Sequence, residues 1–124
     1  MDTDHLRAIA EVAPSLKRAA EEEYSHWHPE LPPRTILASS LGMALITNPL
    51  DQESLRRVFE ICELALAENH PDRDAVGSGF LEILQHADDN RDFDFETVVE
   101  FLGPRSLAHC RAMDKFYGTH ARGL

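Results

Sequence analysis

The chain has 124 residues, 43% of them hydrophobic, and a formal net charge of −10. That length can bury a core without disulfides or a structural metal. The excess of 22 acidic over 12 basic residues disfavours nucleic acid and anionic membrane as partners and favours encounter with a basic protein.

From the amino end, Met1-Asp2-Thr3-Asp4-His5 is not a basic stretch leading into an apolar one, so no secretory signal is expected. Leu6, Ile9, Ala13, Leu16, Ala20 and Trp27 follow the spacing of one helical face, and Pro14 is expected to kink or divide the stretch. Pro29, Pro32 and Pro33 force a turn. A second helix is expected over Arg34–Thr47, with Ile36, Leu37, Leu41, Ala44 and Leu45 inward, ending at Asn48-Pro49. Its apolar run is too short to span a membrane.

The third helix, Gln52–Glu68 with Asp51 as N-cap, carries Leu55, Val58, Phe59, Cys62 and Leu66 on one stripe, widened by Ile61 and Leu64. A fourth should start at His70-Pro71-Asp72 and reach Ala87. Gly77 and Gly79 in its first turns call for compensation by close approach of a neighbouring helix. A polar loop, Asp88–Asp94, leads to a short helix, Phe95–Leu102. Gly103 is expected in a left-handed C′ position, with Pro104 opening a last helix to Tyr117 that buries Leu107, Cys110 and Tyr117. Residues 119–124 read as a frayed tail.

No segment alternates like a strand, so the expected fold is all-α. It is one domain, 1–124, of about six helices, with a segment 1–30 leading into core helices 34–118; paired helices similar to a HEAT stack are one arrangement. From Arg105 onward, Arg105, Arg111, Lys115 and Arg122 face only Asp114, a net +3, which leaves −13 on residues 1–103. The two cysteines, Cys62 and Cys110, sit at apolar helical positions and are expected as buried free thiols in a reducing cytoplasm.

Chemistry-bearing patterns are few. His26 and Glu23 share a helix face, but His28 lies about 200° from His26 on the same helix, and no fourth ligand is apparent in the sequence; no metal is expected. Asp88-Asp89-Asn90-Arg91-Asp92-Phe93-Asp94 resembles a calcium loop, yet Phe93 stands where glycine is needed and Val99 where a bidentate Glu is needed. Cys110 and His109 are adjacent on a helix and point about 100° apart, so they form no local dyad. Ser39-Ser40 lacks a nucleophile elbow, and there is no glycine-rich phosphate loop or C-x-x-C. Glu60, Glu63 or Glu82, if partly buried, should pair with Arg56, Arg57 or Arg105 as a structural pair. No catalytic residue and no cofactor follow. The remaining readings of the acidic residues are a solvated surface or a contact surface. As a contact surface, Asp88, Asp89, Asp92, Asp94 and Glu96 come first, and Glu21, Glu22 and Glu23 second.

Three segments, Phe59-Glu60-Ile61-Cys62-Glu63, Phe80-Leu81-Glu82-Ile83-Leu84 and Leu102-Gly103-Pro104-Arg105-Ser106, resemble those of small all-helical bacterial immunity proteins associated with polymorphic toxin systems. The resemblance covers about residues 34–118. It implies a cytoplasmic protein that binds and neutralises a cognate toxin or effector domain without catalysis, and it transfers no site residue. The alternative is a helical adaptor or secretion chaperone for an effector.

Overall fold

Local signals at the helix starts set the frame. In the computed structural model, which describes residues 4–67 and 70–124, Asp4 caps α1 (His5–Ala10) by accepting from the Arg7 N–H at 3.0 Å. Pro14 opens α2 (Pro14–Trp27), so the first apolar stretch is divided rather than kinked. The cis peptide His28–Pro29 lies in the turn that follows. α3 (Arg34–Thr47) ends at Asn48, and Asp51 caps α4 (Gln52–Ala65) through the Ser54 N–H at 2.7 Å. The expected end of that helix at Glu68 lies outside the described residues.

The fourth expected helix is not uniform. It contains a π-helical segment, Ala75–Leu81, running directly into α5 (Glu82–Asp89). The glycines explain its placement. A Cβ on Gly79 would stand 2.8 Å from the Ala38 Cβ and 3.0 Å from the Thr35 carbonyl, and one on Gly42 would overlap Ile83. α3 and the π-helical segment therefore pack backbone against backbone, which is the compensation expected of glycine in a helix.

The short helix is shorter than expected, α6 (Glu96–Val99), and α7 (Pro104–Tyr117) ends at Gly118, left-handed at φ 69°. Among the described residues there are seven α-helices, the π-helical segment and no strand, so the chain is an all-α bundle. None of these helices is long and apolar enough to cross a membrane.

The core is continuous from α1 to the chain's end. Phe59, Phe80 and Phe95 are fully buried, with the Phe59 and Phe80 rings 6.1 Å apart. Val58, Cys62, Leu84, Val98 and Leu102 join them. Cys62 and Cys110 are both buried and free; burial, first of all, pushes the Cys62 thiol up and the Cys110 thiol up to about 12.

Several expectations change. Ile36 is 40% exposed because the buried face of α3 is Leu37, Ala38, Leu41, Gly42 and Leu45, and Ile36 lies on the opposite face. Leu64 is also exposed, so the α4 stripe is narrower than its composition suggests. Tyr117 is exposed; its hydroxyl donates to Glu82 Oε1 at 2.5 Å instead of entering the core.

Gly103 is extended, φ −79° and ψ 176°, and serves as the N-cap of α7 rather than a left-handed stop. The tail is tied down. Ala121 is buried with its N–H on Asp114 Oδ2 at 2.9 Å, and Arg122 bonds Asp88 and the Phe93 carbonyl, each at 2.8 Å.

Candidate functional site

The two segments that carry the resemblance nearest the helix ends meet each other in space. Glu63 of α4 reaches the start of α7, where its carboxylate accepts from the Arg105 N–H at 2.8 Å, the Ser106 N–H at 3.0 Å and the Ser106 hydroxyl at 3.1 Å. Arg105 Nη1 adds an ion pair at 3.7 Å. This is the structural pair expected of a half-buried glutamate, with a further role as a helix cap supplied by another helix. A Cβ on Gly103 would stand 2.5 Å from the Glu63 carboxylate, which is why the Leu-Gly-Pro step has no side chain there.

The acidic loop divides into two kinds of carboxylate. Asp88 was expected as a contact residue, but it is buried and faces inward: it accepts from the Phe95 N–H at 2.8 Å and from Arg122 Nε at 2.8 Å. Burial alone would raise its pKa; the Phe95 N–H and the Arg122 guanidinium outweigh that and hold the carboxyl below its usual range. Asp94 accepts from the Glu96 N–H at 3.1 Å and stands 3.5 Å from Arg122 Nε.

Asp89, Asp92 and Glu96 are exposed. The loop itself turns through a C-terminal cap in which the Asp92 N–H reaches the Ala87 carbonyl at 2.8 Å and Arg91 sits left-handed at φ 66°. No calcium-loop geometry is needed to account for it. Asp92 and Asp94 also edge a cleft of about 310 Å³ over Leu50, Leu55 and Phe93.

The other expected acidic group is split by the turn of α2. Glu21 and Glu22 are exposed, whereas Glu23 accepts from Trp27 Nε1 at 3.2 Å and Ser40 Oγ at 2.9 Å. That second bond pins α2 to α3. Beside it lies an open groove of about 530 Å³ lined by Arg18, Glu22, Glu23, Ile36, Ser39 and Met43, among others. Ile36 and Met43, 40% and 49% exposed, are seven residues apart and therefore share one face of α3. His26 and His28 are exposed at the other end of α2, and Glu23 is already engaged.

A polar cluster that sequence spacing did not indicate joins the amino end to the segment before the π-helix. Asp72, only 4% exposed, accepts from Arg34 Nη2 at 2.8 Å and Nε at 3.1 Å, and from the His5 N–H at 3.0 Å. Arg34 also holds Asp4 at 2.7 Å. His70 Nδ1 accepts the Asp72 N–H at 3.0 Å, and its ring meets that of His5 edge-on at 4.3 Å.

His5 is 6% exposed, and its Nδ1 has no hydrogen-bond partner among the described residues, standing 3.7 Å from Asp72 Oδ2. Burial, then the His70 ring, lowers the His5 pKa against the pull of Asp72, so the ring is neutral at neutral pH. An unpaired buried nitrogen costs about 1–3 kcal/mol, a sizeable part of a typical stability of about 5–15 kcal/mol. Residues 5, 34 and 70–72 are separated by tens of positions, so no local pattern could have grouped them.

Comparison with known proteins gives no match to a family model, a curated protein or a solved structure.

Proposed function

We propose that this chain is a non-catalytic binding protein of the immunity type, which neutralises a basic toxin or effector domain by holding one of its segments in the groove between α2 and α3. The observation that carries the reading is the pairing, in one groove, of exposed Ile36 and Met43 with the exposed carboxylate of Glu22, backed by the negative charge of Glu23, which Trp27 and Ser40 hold in place. An amphipathic basic segment matches such a surface: its apolar side chains cover Ile36 and Met43, and its cations meet the acidic rim. Arg18 on the same rim sets a register, because a cation opposite it is repelled. The net charge of −10 speeds the encounter.

The helical scaffold and the resemblance of its Phe59–Glu63, Phe80–Leu84 and Leu102–Ser106 segments to immunity proteins point the same way. Asp89, Asp92 and Glu96 form a second acidic patch available to the partner.

The adaptor or secretion-chaperone reading draws on the same exposed Ile36 and Met43, and also on Phe116, 76% exposed at the end of α7. One experiment separates the two. Cells expressing a candidate toxin domain, taken from the reading frame beside this chain's gene, are tested for survival with the parent chain, Met43→Asp, and Glu22→Lys with Met43→Asp. Survival with the parent and death with the folded double variant is the expected result. Binding that leaves the toxin active assigns the adaptor role. Equal protection by both variants refutes the groove as the contact.

A further inference from the structure

We propose that His5, His70 and Asp72 form a binding site for one divalent transition-metal ion of the kind zinc represents. One ring nitrogen of each histidine and one carboxylate oxygen of Asp72 lie within 4.8 Å of one another. A tetrahedral ion with bonds of about 2.1 Å keeps its ligand atoms about 3.4 Å apart. The 3.7 Å between His5 Nδ1 and Asp72 Oδ2 therefore needs to close by only a few tenths of an ångström. His70 is half-buried and its Nδ1 accepts the Asp72 N–H, so ligation uses its other ring nitrogen or releases that bond. The ring also edges a cavity of about 420 Å³, the side from which an ion would enter. Two imidazoles and one carboxylate form a donor set suited to zinc and its neighbours in the first transition row.

The second observation is the orphaned nitrogen. His5 Nδ1 is buried, lacks a hydrogen-bond partner among the described residues and lies beside the Asp72 carboxylate. With the ring proton on Nε2, Nδ1 offers a metal ion a lone pair that nothing else in the described surroundings uses. The outer shell is in place as well. Arg34 grips Asp72 through Oδ1, leaving the Oδ2 side turned toward His5, and this is how supporting groups orient a carboxylate ligand. Arg34 divides itself between Asp72 and Asp4, so Asp72 does not have the guanidinium to itself and keeps negative charge for a cation.

The bound ion would clip the start of α1 to the segment ahead of the π-helix, and this role is independent of the partner-binding function. The test uses the tag-free full chain, stripped with a chelator and titrated with Zn²⁺ by calorimetry, with Co²⁺ as an absorption probe. Expected are one equivalent bound with a dissociation constant below about 10 µM, and a thermal midpoint that rises with free Zn²⁺. The Co²⁺ form should show the visible bands of a four- or five-coordinate site.

His70→Ala, at the half-buried ligand, and Asp72→Asn should each weaken Zn²⁺ binding by at least about tenfold, whereas His26→Ala with His28→Ala should leave it unchanged. The parent titration alone can overturn the proposal: no Zn²⁺ or Co²⁺ bound more tightly than about 10 µM refutes it. Binding that survives in folded His70→Ala but disappears with His26 and His28 also refutes it, because the ion then sits on surface histidines.

Discussion

Replacing Gly103 with alanine should act on stability almost entirely through a different residue, Glu63. The Gly103 backbone is extended, at φ −79° and ψ 176°, a conformation alanine adopts without strain. Its new Cβ, however, would lie 2.5 Å from the Glu63 Cδ and Oε1, so the carboxylate must leave the start of α7. Three hydrogen bonds go with it, to the Arg105 N–H, the Ser106 N–H and the Ser106 hydroxyl.

Loss of a helix cap costs about 0.5–2 kcal/mol, and loss of hydrogen bonds to a charged group about 1.5–3 kcal/mol each, reduced here because water can reach the freed N–H groups. A net cost of about 2 kcal/mol is expected for Gly103→Ala and about the same for Glu63→Ala. At about 2.1 cal/mol/K per residue of unfolding entropy, each should lower the melting midpoint by roughly 8 °C. The double variant should cost little more than either single one, because the second change removes a cap already lost.

Urea denaturation of all four proteins closes the cycle. The expected coupling is about 1.5–2 kcal/mol, well above the 0.3–0.5 kcal/mol within which independent sites add. Additive costs would mean that Glu63 keeps its cap when Gly103 gains a side chain, and the physical account of the Leu-Gly-Pro step would be wrong.

Phe80→Ala or Phe59→Ala should each cost about 3–5 kcal/mol by urea denaturation, since both rings are fully buried; a loss under about 1 kcal/mol would remove them from the core. Asp88→Asn should destabilise at pH 7, and the difference from the parent should shrink as pH falls. The folded carboxyl titrates below the unfolded one, so its contribution is complete above the unfolded pKa of about 3.9 and fades through the lower folded value. A difference unchanged between pH 7 and pH 2.5 would contradict the Asp88–Arg122 pairing. Arg91→Gly should raise the urea midpoint, worth up to about 1 kcal/mol, by relieving a left-handed backbone at φ 66°; a fall would mean that the arginine side chain matters more than the strain. His26→Ala with His28→Ala should leave toxin protection within about tenfold of the parent, since a change under about 1.4 kcal/mol is what side chains away from the contact produce.

The helix starts were legible because each is decided within a few residues. Asp51, Pro14 and Pro104 act on backbone groups one to three positions away, and the buried residues of α4, Val58, Phe59, Cys62 and Ala65, repeat at helical spacing. Ile36 and Leu64 are apolar, and composition alone points both inward. A helix face is buried only where another element covers it, and α3 is covered from Leu37 round to Gly42.

The acidic loop reads as one surface in the sequence, which cannot show that Arg122, more than thirty positions on, returns to Asp88. The same distance problem hid Glu63 at the start of α7 and the meeting of His5, Arg34, His70 and Asp72. In each case the signal is a polar pair created by the fold, and only the separate halves are written in the chain. The groove needed both α2 and α3 in place before Glu22 and Met43 could be seen as neighbours.

The two core thiols give this protein a built-in reporter. Cys62 and Cys110 have no solvent exposure, and burial keeps both protonated at neutral pH. An alkylating reagent needs a thiolate that it can touch, so labelling at either position must wait for the bundle to open. Mass spectrometry of the alkylated chain over time therefore clocks opening in crude mixtures, without purification or a fluorophore. Whatever engages the closed form, whether a toxin segment between α2 and α3 or an ion at the amino end, should slow that clock in proportion to its occupancy.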